Sequence, residues 1–246
     1  MISKKNLNKN MPDIVRGHEI WLEHNMRHVH VGETVECKLL YGHNMKIDGV
    51  AVVENVKATV FDTANEKHDL AVDAGDDGLV VRFDPVLDGY HTIAVEYDAG
   101  IYTITEEGWQ KGPKKNYEKV KSSGYYCQFA KTILPGHGPE EYKLETGQEL
   151  EIIPLDFRHY HVGDDITLKV LYDRRVLQDA MINATYSGQE GEAIETKTDA
   201  EGKATFKLEK EGNWLFKVRH SDPEKGVKDQ YDEKVTTAIF TVMGIH

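Results

Sequence analysis

The segment Arg27-His28-Val29-His30-Val31-Gly32-Glu33-Thr34-Val35-Glu36-Cys37-Lys38-Leu39-Leu40-Tyr41 returns later as Arg158-His159-Tyr160-His161-Val162-Gly163-Asp164-Asp165-Ile166-Thr167-Leu168-Lys169-Val170-Leu171-Tyr172. A match of that length marks a repeated structural unit, so the fold is expected to be built twice. Upstream, Gly17-His18-Glu19-Ile20 parallels Gly147-Gln148-Glu149-Leu150, with a one-residue slip before the arginine. Downstream, Lys57-Ala58-Thr59-Val60 lies opposite Asn183-Ala184-Thr185-Tyr186, and Gly89-Tyr90-His91-Thr92-Ile93 opposite Gly212-Asn213-Trp214-Leu215-Phe216. At 246 residues the chain has room for two domains of the usual ~100–150 residues.

Inside each copy the apolar period is two. Thr34 to Leu40 and Ile166 to Leu171 alternate apolar with polar, as do Ala204 to Leu208 and Trp214 to Val218. Turn-forming sequences such as Asp199-Ala200-Glu201-Gly202 and Lys210-Glu211-Gly212-Asn213 separate them. The pattern predicts an all-β chain of two tandem immunoglobulin-like antiparallel β-sandwich domains arising from internal duplication. The expected bounds are an N-terminal tail over 1–16, a first sandwich over 17–142 and a second over 143–246. Residues 100–124 are expected as an inserted loop without a counterpart in the second copy, Tyr125 to Leu134 as a buried strand, and Pro135 to Pro139 as a rigid turn closing the first domain. Trp21 and Trp214 read as core, and so does Trp109 if its loop packs down. Cys37 and Cys127 allow one disulfide at most and read as buried thiols.

Composition excludes several functions. A formal net charge of −12 disfavours nucleic acid and anionic lipid as partners. No apolar run approaches the ~20 residues of a membrane-spanning helix, so direct membrane insertion is not expected, and the basic N-terminal segment lacks the apolar core of a secretory signal. There is no G-x-G-x-x-G, Walker or G-x-S-x-G sequence to hold a phosphate or an activated serine, and no H-E-x-x-H. The chain therefore reads as a binding protein and not as an enzyme. Asp73, Asp76 and Asp77 lack the spacing of a calcium loop and read as a solvated turn.

The twelve histidines carry what chemistry remains, since neutral imidazole is the usual ligand of nickel, cobalt, zinc and copper. Duplication sorts them. His28 and His30 recur as His159 and His161, which fits side chains standing beside a turn, although an i, i+2 pair on one strand face can also chelate. His18, His24 and His43 face Gln148, Pro154 and Arg174, so they belong to the first copy alone. Antiparallel pairing around Gly32 sets residues whose numbers sum to about 61 or 62 opposite each other, which brings His18 to His43 at one end of the sandwich. Glu19 is a candidate carboxylate ligand or a group holding the His18 ring, but its recurrence as Glu149 favours a structural role.

Gly17-His18-Glu19-Ile20-Trp21-Leu22, Val31-Gly32-Glu33-Thr34-Val35 and Leu40-Tyr41-Gly42-His43 together resemble the opening of the family described as the periplasmic component of cobalt/nickel ABC-type transport systems. The resemblance continues through Phe129-Ala130-Lys131-Thr132, Leu150 to Leu155 and Thr198 to Ala204, and so spans most of the chain. It implies a nickel or cobalt ion as ligand, with zinc or copper as alternatives, membrane transporter subunits as partners, and a periplasmic or extracellular location. His18 and His43 match histidines of that family and are the expected ligands, with His24, Glu19, a residue of the 100–124 loop or water expected to complete the shell. Seventeen residues precede His18, so an amine ligand from a chain terminus is expected only if that segment is trimmed. The competing readings are a non-catalytic cell-surface or interaction sandwich and, more remotely, a metallohydrolase or oxidase on a sandwich scaffold.

Overall fold

The computed structural model describes Pro12, Ile14, and residues 17–137 and 144–246. The expected domain boundary after 142, the turn residues Gly138 and Pro139, and the tail apart from Pro12 and Ile14 lie outside the described residues. Among those described, the elements are strands joined by three short 3-10 turns. The first half holds β1 (Glu19–Glu23), β2 (Val35–His43), β3 (Lys46–Gly49), β4 (Val56–Phe61), β5 (Lys67–Leu70), β6 (Val72–Ala74), β7 (Leu79–Phe83), β8 (His91–Thr105), β9 (Gly108–Lys111) and β10 (Val120–Leu134). The second holds β11 (Leu150–Pro154), β12 (Asp165–Tyr172), β13 (Arg175–Val176), β14 (Met181–Tyr186), β15 (Ile194–Lys197), β16 (Lys203–Lys207), β17 (Gly212–Asp222) and β18 (Glu233–Ile245).

The alternating segments form the strands expected of them. In β2, Val35, Cys37 and Leu39 are buried while Glu36 and Lys38 are exposed, as a half-buried strand requires. The segments Arg27 to Tyr41 and Arg158 to Tyr172 share their local structure, a turn at Val31-Gly32 or Val162-Gly163 followed by a strand. Their pairings also correspond: Ile20 lies opposite Tyr41, and Leu150 opposite Tyr172.

Three sheets result. β1-β2-β7-β6, with β3 on β2, covers the first half, and β11-β12-β13, with β16 on β12, covers the second. Between them runs one nine-stranded sheet, β15-β14-β17-β18-β10-β8-β4-β5, with β9 on β8. It is antiparallel except at its middle, where β10 and β18 run parallel and Gly124 to Thr132 pair with Glu233 to Thr241. Parallel pairing of these two strands turns opposite faces of the shared sheet towards the two smaller sheets. Thus Tyr126, Ala130 and Leu134 of β10 join the first core, while Cys127, Phe129 and Ile133 join the second. β18 divides likewise, Val235 and Ile239 facing one core and Ala238, Phe240 and Val242 the other.

A strand buried on both faces usually reads as a continuous apolar run, yet β10 and β18 carry Gln128, Lys131, Thr132, Thr236, Thr237 and Thr241, all buried. Partners make this tolerable. The Thr132 hydroxyl donates to the Thr241 carbonyl at 3.1 Å, and the Thr241 hydroxyl to the Leu22 carbonyl at 2.8 Å. Lys131 and Glu151 form an ion pair of 2.7 Å with each side chain 1% exposed.

The expected loop over 100–124 is instead strand for much of its length. β8 continues through it to Thr105, β9 folds back onto β8, and β10 begins at Val120. The alternation continues there, with Thr103 and Thr105 buried and their hydroxyls donating to the Gly112 and Gly108 carbonyls. A counterpart also exists in the second half, the shorter 223–232 connection between β17 and β18. The two connections dock: Lys114 and Lys115 donate backbone N–H to the Gln230 and Asp229 carbonyls, and Lys114 Nζ meets Asp232 Oδ1 at 2.5 Å. Trp109 is only half-buried there. Trp21 and Trp214 are fully buried, and both cysteines are free and buried, one in each core. Burial pushes both thiols up, that of Cys127 to about 12, which leaves them in the unreactive protonated form.

Candidate metal centre

His18 immediately precedes β1 and His43 ends β2. Glu19 pairs with Gly42, so the next pair outward is His18 with His43, as expected from the sequence. Their ring centres are 5.7 Å apart with planes inclined by 35°. Two imidazoles sharing an ion through ~2.0 Å bonds have ring centres roughly 4.5–6.5 Å apart from cis to trans placement. The pair lies inside that window.

The backbone around them is fixed by groups remote in sequence. Gln128, on β10, donates to the His18 carbonyl at 2.5 Å and accepts from the Ile20 N–H at 2.7 Å, holding β1 like an added strand. Gly42 allows β3 to close against β2, because a Cβ there would lie 2.0 Å from the Lys46 carbonyl oxygen. That closure brings Asp48 to His18, whose Nε2 lies 2.8 Å from Asp48 Oδ2. An ionised carboxylate only accepts hydrogen bonds, so Nε2 carries the proton. In the neutral ring, Nδ1 then keeps a bare lone pair. His18 Nδ1 is buried and has no hydrogen-bond partner. A carboxylate that fixes one imidazole nitrogen while the other stays bare is the usual outer shell of a metal-ligating histidine.

Glu19 stands beside this pair in a different role. It is fully buried, its Oε1 accepting from the Asn44 N–H at 2.7 Å and its Oε2 from Lys217 Nζ at 2.8 Å. His43 Nδ1 is 3.9 Å from Oε2, too far for a hydrogen bond. Both oxygens are engaged, Oε1 by the turn carrying His43 and Oε2 by Lys217, so Glu19 supports that turn. The matching end of the second half supports this division. There Gln148, Glu149 and Arg174 line a pocket of about 520 Å³ with Lys225 and Lys234, and both lysines pair with Glu149. The structural carboxylate recurs; the imidazoles do not.

His24 is not part of this centre. It follows the far end of β1, six residues from His18, or about 20 Å at ~3.3 Å per extended residue. Part of the residue remains exposed, but neither ring nitrogen reaches solvent or has a hydrogen-bond partner. Burial lowers its pKa to about 4, offset only in part by backbone groups of Ile133 and Met26. Such a group must be neutral to fold. Its contribution to stability is complete above the unfolded value near 6.5 and is lost as pH falls towards 4, about 3 kcal/mol over the window. Urea titrations between pH 7 and pH 4 are expected to show this loss, and His24→Leu to remove that part of the slope. A wild-type slope unchanged in His24→Leu would assign the loss to other groups.

The model of a family described as a domain of unknown function, DUF4198, matches residues 15–222. The chain belongs to the DUF4198 family. That description names no ligand and no activity. No curated protein matches the chain. Among solved structures, a tetra-tandem repeat from the extending region of a large adhesion protein is 12% identical, covering 93% of this chain and 50% of that one, with a TM-score of 0.25. A two-domain fibronectin type III segment of chicken tenascin is 10% identical over 89% of this chain and 98% of that one, TM-score 0.24. The D0–D1 domain of intimin is 12% identical over 92% and 97%, TM-score 0.24. The chain spans half the length of the first of these, and likeness this slight carries no argument about what a DUF4198 protein does.

Sequence reading of this DUF4198 chain missed Asp48, Gln128 and Lys217. Asp48 sits in an unremarkable hairpin, and Lys217 is one of several lysines at alternate strand positions. Only Gln128 left a signal, a lone amide inside the apolar stretch Cys127 to Ala130. Among the described residues, no three His, Cys, Asp or Glu side chains already converge on a common point.

Proposed function

We propose that this chain binds a divalent transition-metal ion through His18 Nδ1 and His43, with Asp48 orienting His18 and Glu19 holding the turn, and serves metal uptake or delivery without catalysing a reaction. The observation that carries this reading is the buried, unpartnered Nδ1 of His18, held bare by Asp48 within reach of a second imidazole. The donor set fits such an ion: two imidazoles suit nickel, cobalt, zinc or copper, and water completes the shell. The resemblance read from the sequence favours nickel or cobalt, a periplasmic or extracellular setting and transporter subunits as partners. The net charge of −12 favours cation approach. We also infer that the two halves are immunoglobulin-like sandwiches descended from one duplicated module, of which only the first kept the imidazole pair.

Calorimetric titration with nickel(II) tests the proposal. His18→Ala is expected to weaken binding by more than about 100-fold, because changes to outer-shell partners alone cost 10–100-fold. Asp48→Asn, which no longer fixes the ring as an anion, is expected within that smaller range, and His68→Ala is expected to change nothing. Equal affinity of the wild type and the His18→Ala, His43→Ala variant would overturn it in favour of a non-catalytic interaction sandwich.

A further inference from the structure

At the other end of β2, four more histidines gather from three separate stretches of chain. His28 and His30 come from the first repeated turn, His159 from the second, and His137 from the exit of β10. His28 is central: its ring centre lies 3.9 Å from His137, 5.4 Å from His159 and 6.2 Å from His30. His30 and His137 are 6.0 Å apart.

The fold holds this group together. Val29 is fully buried between His28 and His30, and its N–H donates to the Pro135 carbonyl at 2.9 Å. Gly136 packs so tightly on Gly89 that a Cβ would lie 1.9 Å from the Gly89 carbonyl carbon. The strand exit is thus pressed against the first turn, and His137 is laid over His28. Tyr160, buried, ties the second turn through its hydroxyl to the Asp156 carbonyl at 2.7 Å.

These imidazoles have little else to bond. Among the described residues, His28, His137 and His159 make no hydrogen bond or ion pair, and His30 approaches only Asp88, at 3.8 Å. His28 and His159 also line a groove of about 980 Å³, so ion and water have access. In the same groove His24 presents two buried ring nitrogens without partners.

We infer that His28, His30, His137 and His159 form a second metal site, an all-imidazole centre for a divalent ion of the copper or zinc class. The separations of 5.4, 6.0 and 6.2 Å lie within the roughly 4.5–6.5 Å expected of imidazoles on one ion. The 3.9 Å stack does not, and among the described residues the His159 ring meets only that of His28 within the cluster, so one of the stacked pair and the exposed His159 must both turn when the ion binds. His137 is exposed, and exposed side chains change rotamer within nanoseconds. The site is independent of the His18 centre, since the nine residues of β2 separate the two by about 30 Å.

Copper(II) titration, with electron paramagnetic resonance to count coupled nitrogens, tests this. The wild type is expected to take up two ions, one of them showing three or more imidazole nitrogens. His28→Ala with His159→Ala should weaken that ion by more than about 100-fold and leave the other in place. His30→Ala with His137→Ala, all at the surface, gives a second reading should the first pair disturb folding. A single ion that survives loss of His18 and His43 but not of His28 and His159 would uphold this site while overturning the proposed function. Unchanged affinity in both cluster variants would overturn it, as would equal loss on removing His161 and His246, a pair 5.2 Å apart outside the cluster.

Discussion

Glu151→Ala lowers the unfolding free energy by about 3–5 kcal/mol, the cost of stranding a buried charge. Lys131 lies on the doubly buried strand β10, where its ammonium has two partners: Glu151 Oε1 and the Leu144 carbonyl, each at 2.7 Å. Burial draws the lysine pKa down, and Glu151 is the main group opposing that. The same carboxylate accepts the Thr146 and Gly147 N–H groups at 2.6 and 3.0 Å. Alanine therefore leaves the Thr146 and Gly147 donors without this acceptor and the ammonium without its counter-charge, held by the Leu144 carbonyl alone. For a chain of this size the midpoint of thermal unfolding should fall by roughly 6–20 °C. Lys131→Met combined with Glu151→Leu should recover the charge-stranding part, because an apolar pair of similar volume needs no partner. A thermal shift of a degree or two in Glu151→Ala would show that water reaches Lys131 and that the centre of the shared sheet is not dry.

Glu19→Ala is the second large effect, expected at about 3 kcal/mol, or a midpoint lower by roughly 6–12 °C. Glu19 is fully buried, while Lys217 on β17 retains 17% side-chain exposure, which relieves part of the cost. This ion pair joins the edge of the first sheet to the second half of the chain. Loss of the carboxylate also frees the Asn44 N–H, in a turn where Asn44 and Met45 both adopt left-handed conformations. His43 should lose its fixed position. Metal affinity is then expected to fall within the 10–100-fold range of a supporting group, and to return in Glu19→Gln, whose amide oxygen still accepts from Asn44. Loss in the glutamine variant as deep as in His18→Ala would instead make Glu19 a ligand.

What the sequence determined here was local and periodic. Alternation over Val35 to Leu39 and Ala204 to Leu208 set which faces are buried, because strand side chains point to opposite sides with a period of two. The repeated Arg-His-x-His-Val-Gly turns fixed equivalent registers in both halves, and the sum rule around Gly32 placed His18 against His43. The same rule, read along one strand only, could not exclude His24: pairing says what lies opposite, whereas separation along β1 decides what lies near. Residues 100–124 were misread because their glycines, lysines and proline suggest a loop, while the pairing of Thr103 with Gln110 and of Tyr125 with Ile101 is visible only in the folded sheet.

Tertiary structure alone decided how the halves join. Parallel pairing of β10 with β18 depends on residues over 100 positions apart, and it buries both faces of strands whose polar residues gave no sign of it. The same junction carries Gln128 to the His18 backbone and Lys217 to Glu19. It also sets His159 beside His28, turning histidines that look merely repeated along the chain into one cluster. Similar segments predict similar local structure; only packing, through hydrogen bonds and buried charges that must find partners, settles which faces of the two halves meet.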